Sequence, residues 1–332
     1  MSAPAPSMYS PAATEVAKQL GLKMSRANLE EFADTLLAMA QADRNIVAVT
    51  SDSRGSGKLG PFGTKLPDQI VELGIAEQNL VGISAGLASA GKIVYAVSPA
   101  CFLTARSFEQ IKNDVCYSDN PVKLIGISAG VSYGALGTTH HSLHDLAALR
   151  AVNNIDIIVP ADNFETREVI RIAAQRTKPI YIRFGKAPLY DLANADRKFE
   201  IGKSIQLRDG SDLAFIATGE TVIHALLAAE SLKAKGLNCR VISMHTIKPL
   251  DNGALLRAAK ECGAIVTVEE HLVNGGLGEA CASLLMQAGA RARFKIVGIP
   301  DEYTVTGSQA DIFRHYGISM EGLSEIALKL MK

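Results

Sequence analysis

The chain of 332 residues carries 34 lysines and arginines against 34 aspartates and glutamates, and 48% of its residues are hydrophobic. Because the charges balance and form no block of one sign, we expect binding neither to nucleic acid nor to an anionic membrane surface. No apolar run reaches the roughly 18 to 20 residues of a membrane span, so a soluble protein with room for two domains is predicted.

The first 24 residues are predicted to form a loose N-terminal arm that ends in a short helix. They contain small residues and prolines but no basic segment followed by an apolar stretch, so no signal peptide is expected. The five cysteines are odd in number, widely spaced and without a CxxC pair. This pattern indicates buried free thiols in a reducing compartment, and a cytoplasmic protein is therefore expected.

From residue 25 onward, helical periodicity alternates with short β-rich runs. Strands are predicted at 46–50, 93–97, 122–127, 155–160 and 179–184, with helices near 78–90, 104–117, 143–151 and 164–175. The strands are apolar along nearly their whole length, as is typical of a parallel sheet covered on both faces. Residues 25–190 are therefore predicted to form a doubly wound α/β domain.

A polar segment at 191–204 interrupts the alternation and is interpreted as a linker. Strands are predicted again at 212–218, 239–244, 264–270 and 294–300, with helices at 221–235, 250–261 and 276–289. Residues 205–332 are therefore predicted to form a second, smaller domain of the same kind. The predicted fold class is α/β, with two doubly wound domains and mostly parallel sheets.

Glu77 lies between a short apolar run and an Ala/Gly-rich segment with helical spacing, in "VELGIAEQNLVGISAGLASAG". A carboxylate in the first turn of a helix complements the helix dipole by roughly 0.3 to 1 kcal/mol, which by itself would account for the residue. In doubly wound sheets, however, chemistry gathers where strands end and helices begin. Glu77 is at such an edge.

Two further edges carry groups suited to an anion. The loop "SDSRGSGKLG" (51–60) combines glycines with Ser56, Arg54 and Lys58, and is either an anion-binding loop or an ordinary surface loop. Arg183 ends a predicted strand, where it could meet a phosphate or carboxylate or form a routine ion pair.

Histidines and phenylalanines occupy two more edges. His140, His141 and His144 fall where a loop meets a helix, without a Cys, Asp or Glu to complete a metal site. A histidine that binds substrate or transfers protons is therefore favoured. Phe102 and Phe108 surround the start of a helix, where either core packing or stacking on a flat ring would use them.

The order and spacing of four segments resemble the pyrimidine-binding domain of transketolases. The segments are "GIAEQNLVGISAGLA", "FLTARSFEQIKNDVCY", "GALGTTHHSLHDLAALR" and "IDIIVPADNFETREVI". The later "VISMHTIKPLD" and "VTVEEHLVNGGLGEA" resemble the transketolase C-terminal domain. The resemblance covers residues from about 25 to 332.

The resemblance implies thiamine diphosphate as the cofactor, with Glu77 hydrogen-bonded to a ring nitrogen of its aminopyrimidine. A carboxyl group there favours the imino form of the neighbouring amino group, which can then take the thiazolium proton. By the same matching, Phe102 and Phe108 line the pyrimidine pocket and Asp52 reaches the cofactor.

For the substrate, the resemblance implies that Ser56 and Arg183 bind the phosphate of a sugar and that His140 contacts substrate and moves protons. Two positions depart from the family pattern. Leu136 in "GALG" replaces an aspartate of the family's "GEDG", and Ser128 stands where many members have a histidine. Both family residues contact the donor ketose, so a modified, shorter or less hydroxylated donor is expected instead of xylulose 5-phosphate.

A complete transketolase also has a preceding domain with a "GDG…N" segment that holds magnesium and the diphosphate, and no segment of this chain fits it. We therefore expect the C-terminal subunit of a split transketolase, with no metal ligands of its own. A separate N-terminal subunit would hold the diphosphate and Mg²⁺, with a homodimer of this chain inside a heterotetramer.

The predicted activity is transfer of a two-carbon ketol unit from a ketose phosphate to an aldose. Three alternatives stay open. They are the beta subunit of a 2-oxoacid dehydrogenase, a synthase that forms a deoxyketose from pyruvate, and a non-catalytic homologue that regulates or assembles a complex.

Overall fold

Strands and helices alternate through the computed structural model, which describes residues 7–192 and 197–332. The first described range contains α1 (Pro11–Gln19), β1 (Met24–Ala27), α2 (Asn28–Ala42), β2 (Ile46–Thr50), α3 (Gly60–Lys65), β3 (Ile70–Glu72), α4 (Glu77–Ser89), β4 (Ile93–Pro99), α5 (Ala100–Arg106), α6 (Phe108–Gln110), β5 (Lys123–Ile127), α7 (Asp145–Arg150), β6 (Asp156–Ile158), α8 (Asn163–Gln175), β7 (Ile180–Phe184) and β8 (Pro188–Tyr190). The second contains β9 (Ile205–Arg208), β10 (Leu213–Ala217), α9 (Thr221–Lys233), β11 (Cys239–Ser243), β12 (Thr246–Lys248), α10 (Asn252–Glu261), β13 (Ala264–Leu272), α11 (Leu277–Gln287), β14 (Arg293–Ile299), α12 (Gln309–His315) and α13 (Met320–Met331). None of the described helices combines the length and the apolar character needed to cross a bilayer.

The first sheet has seven strands in the order β12-β6-β7-β5-β4-β2-β3. All neighbours pair in parallel except β12, which pairs antiparallel with β6 at the edge. Every residue of β2, β5 and β7 is buried, because helices cover both faces of the sheet. This double coverage explains why these strands are apolar throughout.

The second sheet has five strands in the order β14-β13-β10-β11-β9, and only β9 runs antiparallel to its neighbour. The predicted fold class, α/β with two mostly parallel sheets, is confirmed. Aspartate caps begin two of the covering helices: Asp162 accepts from Glu165 N at 3.0 Å before α8, and Asp251 accepts from Ala254 N at 3.0 Å before α10. All five cysteines are buried and unpaired, as predicted.

The N-terminal arm contains the predicted short helix, α1, but is more closely packed than predicted. Residues 1–6 lie outside the described part, but from Ser7 onward the segment is packed and not loose. Ser10 caps α1, and Tyr9, Ala13 and Ala17 are buried in the core beside the second sheet. The Tyr9 ring stacks on His224 with 5.3 Å between ring centroids. Burial of these apolar groups holds the arm in place.

Other differences concern short elements. The helix predicted at 104–117 is divided into α5, α6 and a π-helical segment, Ile111–Tyr117, with the interruption at Ser107. The short strands β1, β3, β8, β9 and β12 were not predicted, nor were α12 and α13. Part of the predicted linker, residues 193–196, lies outside the described residues.

Two buried glutamates lie where the second sheet meets the loops of the first. Glu220 precedes α9 and Glu270 lies in β13. Gln309 Nε2 donates to Glu220 Oε2 at 3.0 Å and to Glu270 Oε1 at 2.9 Å. Glu270 Oε1 also accepts from the backbone N–H of Val131 at 2.8 Å. Glu270 thus links β13 of the second sheet to the loop after β5 of the first sheet, and Gln309 holds Glu220 and Glu270 together.

This pair makes stability depend on pH. Burial raises the pKa of Glu220 to about 7 and, together with Glu220, that of Glu270 to about 8, from an ordinary 4.5. Because the folded state holds these protons more tightly than the unfolded chain, the stabilisation is complete below about pH 4.5 and is lost as pH rises through about 8. We expect the melting temperature to fall from about pH 5 to about pH 8.5, and Glu270→Gln to reduce the fall.

Differential scanning fluorimetry across this pH range measures the effect. Glu325→Gln is the matched control, because Glu325 is exposed on α13 and pairs only with Lys329 among the described residues. A pH slope in Glu270→Gln equal to that of the wild type would show that this carboxyl does not carry the dependence.

Candidate active site

The candidate groups meet at one edge of the first sheet, where its parallel strands end. β2 leads into the loop 51–59, β4 leads into α5, and β5 leads into the loop 128–142. Since the carboxyl ends of parallel strands lie on the same side, side chains from distant parts of the sequence come together here.

Glu77 is the first residue of α4, and only 4% of it is exposed. Arg106 Nη1 donates to both carboxylate oxygens, at 2.9 Å to Oε1 and 3.0 Å to Oε2. Among the described residues, Arg106 is the only hydrogen-bond partner of this carboxylate, and the arginine side chain is 48% exposed. A buried carboxylate with one half-exposed partner is suited to bind a polar ring atom of a ligand.

Phe102 connects this carboxylate to His140. The guanidinium carbon of Arg106 lies 4.3 Å from the centroid of the Phe102 ring, one helical turn earlier on α5. The His140 ring meets Phe102 edge-on, with 5.3 Å between centroids and an interplanar angle of 72°. Phe102 is partly exposed at the site, whereas Phe108 packs against the hydrophobic core. Phe108 is partly exposed as well, so its place in the pyrimidine pocket stays a prediction.

The loop 128–142 has an unusual backbone. Ser128 is fully buried with φ +54°, and its hydroxyl has no hydrogen-bond partner among the described residues. A positive φ at a residue other than glycine costs on the order of 1–3 kcal/mol. At Gly130 a Cβ would lie 2.1 Å from Glu270 Cδ, so only glycine fits there. The resulting turns present Leu136, which is 56% exposed, and His140 at the mouth of the site.

Tyr133 and Lys186 belong to the site but were not identified from the sequence. Tyr133 meets the His140 ring edge-on at 5.4 Å between centroids, and Lys186 Nζ lies 3.8 Å from the centroid of the Tyr133 ring. Burial lowers the pKa of Lys186, and the nearby Lys58 lowers it further. The sequence feature that could have identified Lys186 is its position just after β7, at the same sheet edge as the other groups of the site.

Arg183 lies in the interior of the protein and is paired with other protein groups. Its Nη1 donates to Asp145 Oδ1 at 2.6 Å and to Ser142 O at 3.2 Å, and its Nη2 donates to Glu270 O at 2.7 Å. The Arg183 side chain is 3% exposed. The guanidinium is therefore held in a buried ion pair with Asp145, and its role in binding a substrate phosphate stays a prediction.

The loop after β2 leaves Asp52 and Ser56 accessible. Asp52 is exposed with φ +53°, and its N–H donates to Glu72 Oε1 at 2.6 Å. Ser56 is exposed, and its Oγ lies 3.2 Å from Ser53 O. The structure leaves both side chains open to a ligand, and their roles in binding cofactor and phosphate stay predictions.

The run of histidines does not form a metal site in the structure. His141 is buried, with Nδ1 2.8 Å from Thr304 Oγ1 and Nε2 2.9 Å from Gly134 O. In residues 7–192 and 197–332, no cluster of three or more His, Cys, Asp or Glu has the arrangement needed to hold a metal ion. His140 differs from His141 because it is partly exposed and its Nδ1 is within hydrogen-bonding distance only of Thr139 Oγ1 among the described residues, at 2.9 Å.

Comparison with known proteins gives two family matches. Residues 25–190 match the pyrimidine binding domain of transketolase, and residues 202–323 match the transketolase C-terminal domain. The chain is 49% identical over 304 residues to one subunit of the apulose-4-phosphate transketolase of Phocaeicola vulgatus, covering 91% of this chain and 97% of that protein. It is 34% identical over 280 residues to a 6-deoxy-6-sulfo-D-fructose transketolase subunit of a Clostridium species, covering 82% and 87%.

A solved structure described as a split gene transketolase, inactive beta4 tetramer, is similar along nearly its whole length. The TM-score is 0.83 at 34% identity, and the match covers 92% of this chain and 98% of that chain. The similarity therefore extends over both sheets.

Proposed function

We propose, since this chain belongs to the transketolase family, that it is the C-terminal subunit of a two-subunit transketolase. In this proposal the complex transfers a two-carbon ketol unit from a ketose phosphate to an aldose. The observation that carries it is the buried Glu77, which is linked through Arg106 to Phe102 and from that ring to His140. The chain that contains it covers 97% of a relative named as one subunit of a transketolase.

The proposed cofactor is thiamine diphosphate, which when bound supplies the nucleophilic carbon for cleavage of the ketose. The residues fit it, because a carboxylate and a partly exposed aromatic ring lie together at the sheet edge. A separate N-terminal subunit would hold Mg²⁺ and the diphosphate. Two copies of each subunit would form a heterotetramer in the cytoplasm.

Each residue then has a distinct task. Glu77 holds a proton at the ring nitrogen of the aminopyrimidine, so Arg106 must release at least one carboxylate oxygen. Phe102 packs against the pyrimidine ring. His140 contacts substrate through Nε2, for which no partner exists among the described residues, and moves protons there.

The substrate phosphate is assigned to Lys186 and Ser56. Lys186 carries a positive charge at the mouth of the site, and no salt bridge to it occurs within the described residues. Leu136 and Ser128 remove two polar donor contacts of the family pattern, which favours a donor with fewer or displaced hydroxyls. Apulose 4-phosphate is the first donor to test, because the Phocaeicola relative is named for it. A sulfosugar is the second.

Calorimetric titration tests the proposal. Thiamine diphosphate with Mg²⁺ is titrated into this chain, into a separately produced N-terminal transketolase subunit of the same organism, and into their mixture. We expect binding only in the mixture, followed by turnover of apulose 4-phosphate with an aldose acceptor. Tight binding to this chain alone would overturn the two-subunit assignment, and a mixture that binds no cofactor would overturn the cofactor assignment.

A further inference from the structure

The Tyr133 ring lies between the two groups that are assigned to substrate. Lys186 Nζ is 3.8 Å from the ring centroid, above its face. The His140 ring meets the same tyrosine edge-on, at 5.4 Å between centroids and 71° between planes. One aromatic ring therefore contacts the cation at the mouth of the site and the histidine of the same loop.

The contact with the Tyr133 ring holds the ammonium group of Lys186 in position. No salt bridge to Lys186 is formed within the described part of the chain, and the nearby Lys58 repels its charge. The attraction of an ammonium group to the negative face of an aromatic ring is then the specific interaction that opposes this repulsion. Without the ring, the flexible lysine side chain would move away from Lys58 and into solvent.

The backbone around Tyr133 is tightly turned and closely packed. Gly134, the next residue, has φ +51°, and a Cβ there would lie 3.0 Å from Gly307 O, in the segment before α12. Leu136 N donates to Tyr133 O at 3.2 Å, and His140 N donates to Gly137 O at 3.0 Å. The ring is therefore carried by a tightly turned loop that is packed against the second part of the molecule.

We propose that Tyr133 is a positioning residue that holds Lys186 over its face and His140 in a T-shaped ring contact. It thereby fixes the distance between Lys186, which binds the phosphate of the ketose, and His140, which contacts the reacting end of the ketose. This inference rests on the proposed function, and it assigns to Tyr133 the selection of phosphorylated over unphosphorylated donors. The aromatic ring performs the task, and the hydroxyl is not needed for it.

The reconstituted complex tests the inference with Tyr133→Leu, which removes the ring, and Tyr133→Phe, which retains it. For the phosphorylated donor, we expect KM to rise about tenfold in Tyr133→Leu and to be restored to within about twofold of the wild type in Tyr133→Phe. For the same ketose without its phosphate, Tyr133→Leu is expected to change KM less than about twofold. In the background of Lys186→Met, Tyr133→Leu should add no further increase in the KM of the phosphorylated donor, because the group that binds the phosphate is already absent. The lost contact with His140 should then lower kcat to the same extent for the phosphorylated and the unphosphorylated donor.

A second measurement does not require turnover. Acetylation of Lys186 by acetic anhydride, followed by mass spectrometry, should be faster in Tyr133→Leu than in the wild type and unchanged in Tyr133→Phe. Equal labelling rates and equal KM values in Tyr133→Leu would overturn the positioning role. An equal rise in KM in Tyr133→Leu and Tyr133→Phe would also overturn the role of the ring, because the hydroxyl would then be the group that acts. A wild-type complex without turnover would instead overturn the proposed function, whereas the labelling rates would still decide the contact.

Discussion

Glu77→Gln is expected to lower the turnover of the reconstituted complex by about 10²–10⁴-fold, the range for loss of a group that transfers or holds a catalytic proton. Glutamine has the same shape, and its carbonyl oxygen can still accept from Arg106, which now donates to both carboxylate oxygens at 2.9 and 3.0 Å. It cannot exchange a proton with the pyrimidine nitrogen. The change therefore removes the proposed chemistry and leaves the local packing.

Assembly with the N-terminal subunit should survive this substitution, because Glu77 is buried and its carboxylate is hydrogen-bonded only to Arg106 among the described residues. Steady-state turnover and the affinity of the two subunits are measured on the same preparation. Glu325→Gln serves as the control, since that glutamate is exposed on α13. Turnover of Glu77→Gln within threefold of the control would contradict the proposed mechanism, and loss of assembly would show that Glu77 is structural.

Arg183→Met is expected to destabilise the protein by about 3–5 kcal/mol, because it leaves the carboxylate of Asp145 buried without its cation. Burial by itself would raise the pKa of Asp145, but Arg183, together with His271 and the Tyr181 hydroxyl, outweighs burial and lowers it. Asp145 Oδ1 lies 2.6 Å from Arg183 Nη1, and both side chains are almost fully buried. We expect the melting temperature to fall by about 5–15 °C.

Thermal unfolding at neutral pH measures the effect of Arg183→Met. Arg171→Met is the matched control, because Arg171 is exposed on α8 and, within the described part of the chain, forms only an i,i+3 pair with Glu168. Loss of that pair is expected to cost less than about 0.5 kcal/mol. Addition of Asp145→Asn to Arg183→Met should recover part of the loss, since no buried charge then remains unpaired. A melting temperature equal to that of the Arg171→Met control would show that Arg183 is accessible and is not held in a buried ion pair.

The central strands could be predicted from local sequence. β2 coincides with the predicted 46–50, and β7 lies within the predicted 179–184, because burial on both faces leaves a continuous apolar run that is visible without tertiary context. Short edge strands leave no such run. β12 has only three residues and adds to the first sheet although it follows β11 of the second, so its partner is set by packing between distant segments.

The sequence by itself determined the family, the fold class and the sheet edge at which Glu77, Phe102 and His140 meet, because these depend on motifs and on burial patterns within single segments. Only the tertiary structure distinguishes the surroundings of Arg183 from those of Lys186. Both cations lie at or just after the end of β7, three residues apart, and either could meet a phosphate. Asp145, from a helix far away in sequence, neutralises Arg183 in the interior, whereas Lys186 stays at the surface over Tyr133. Which charge is paired depends on contacts across the fold, and no local pattern records them.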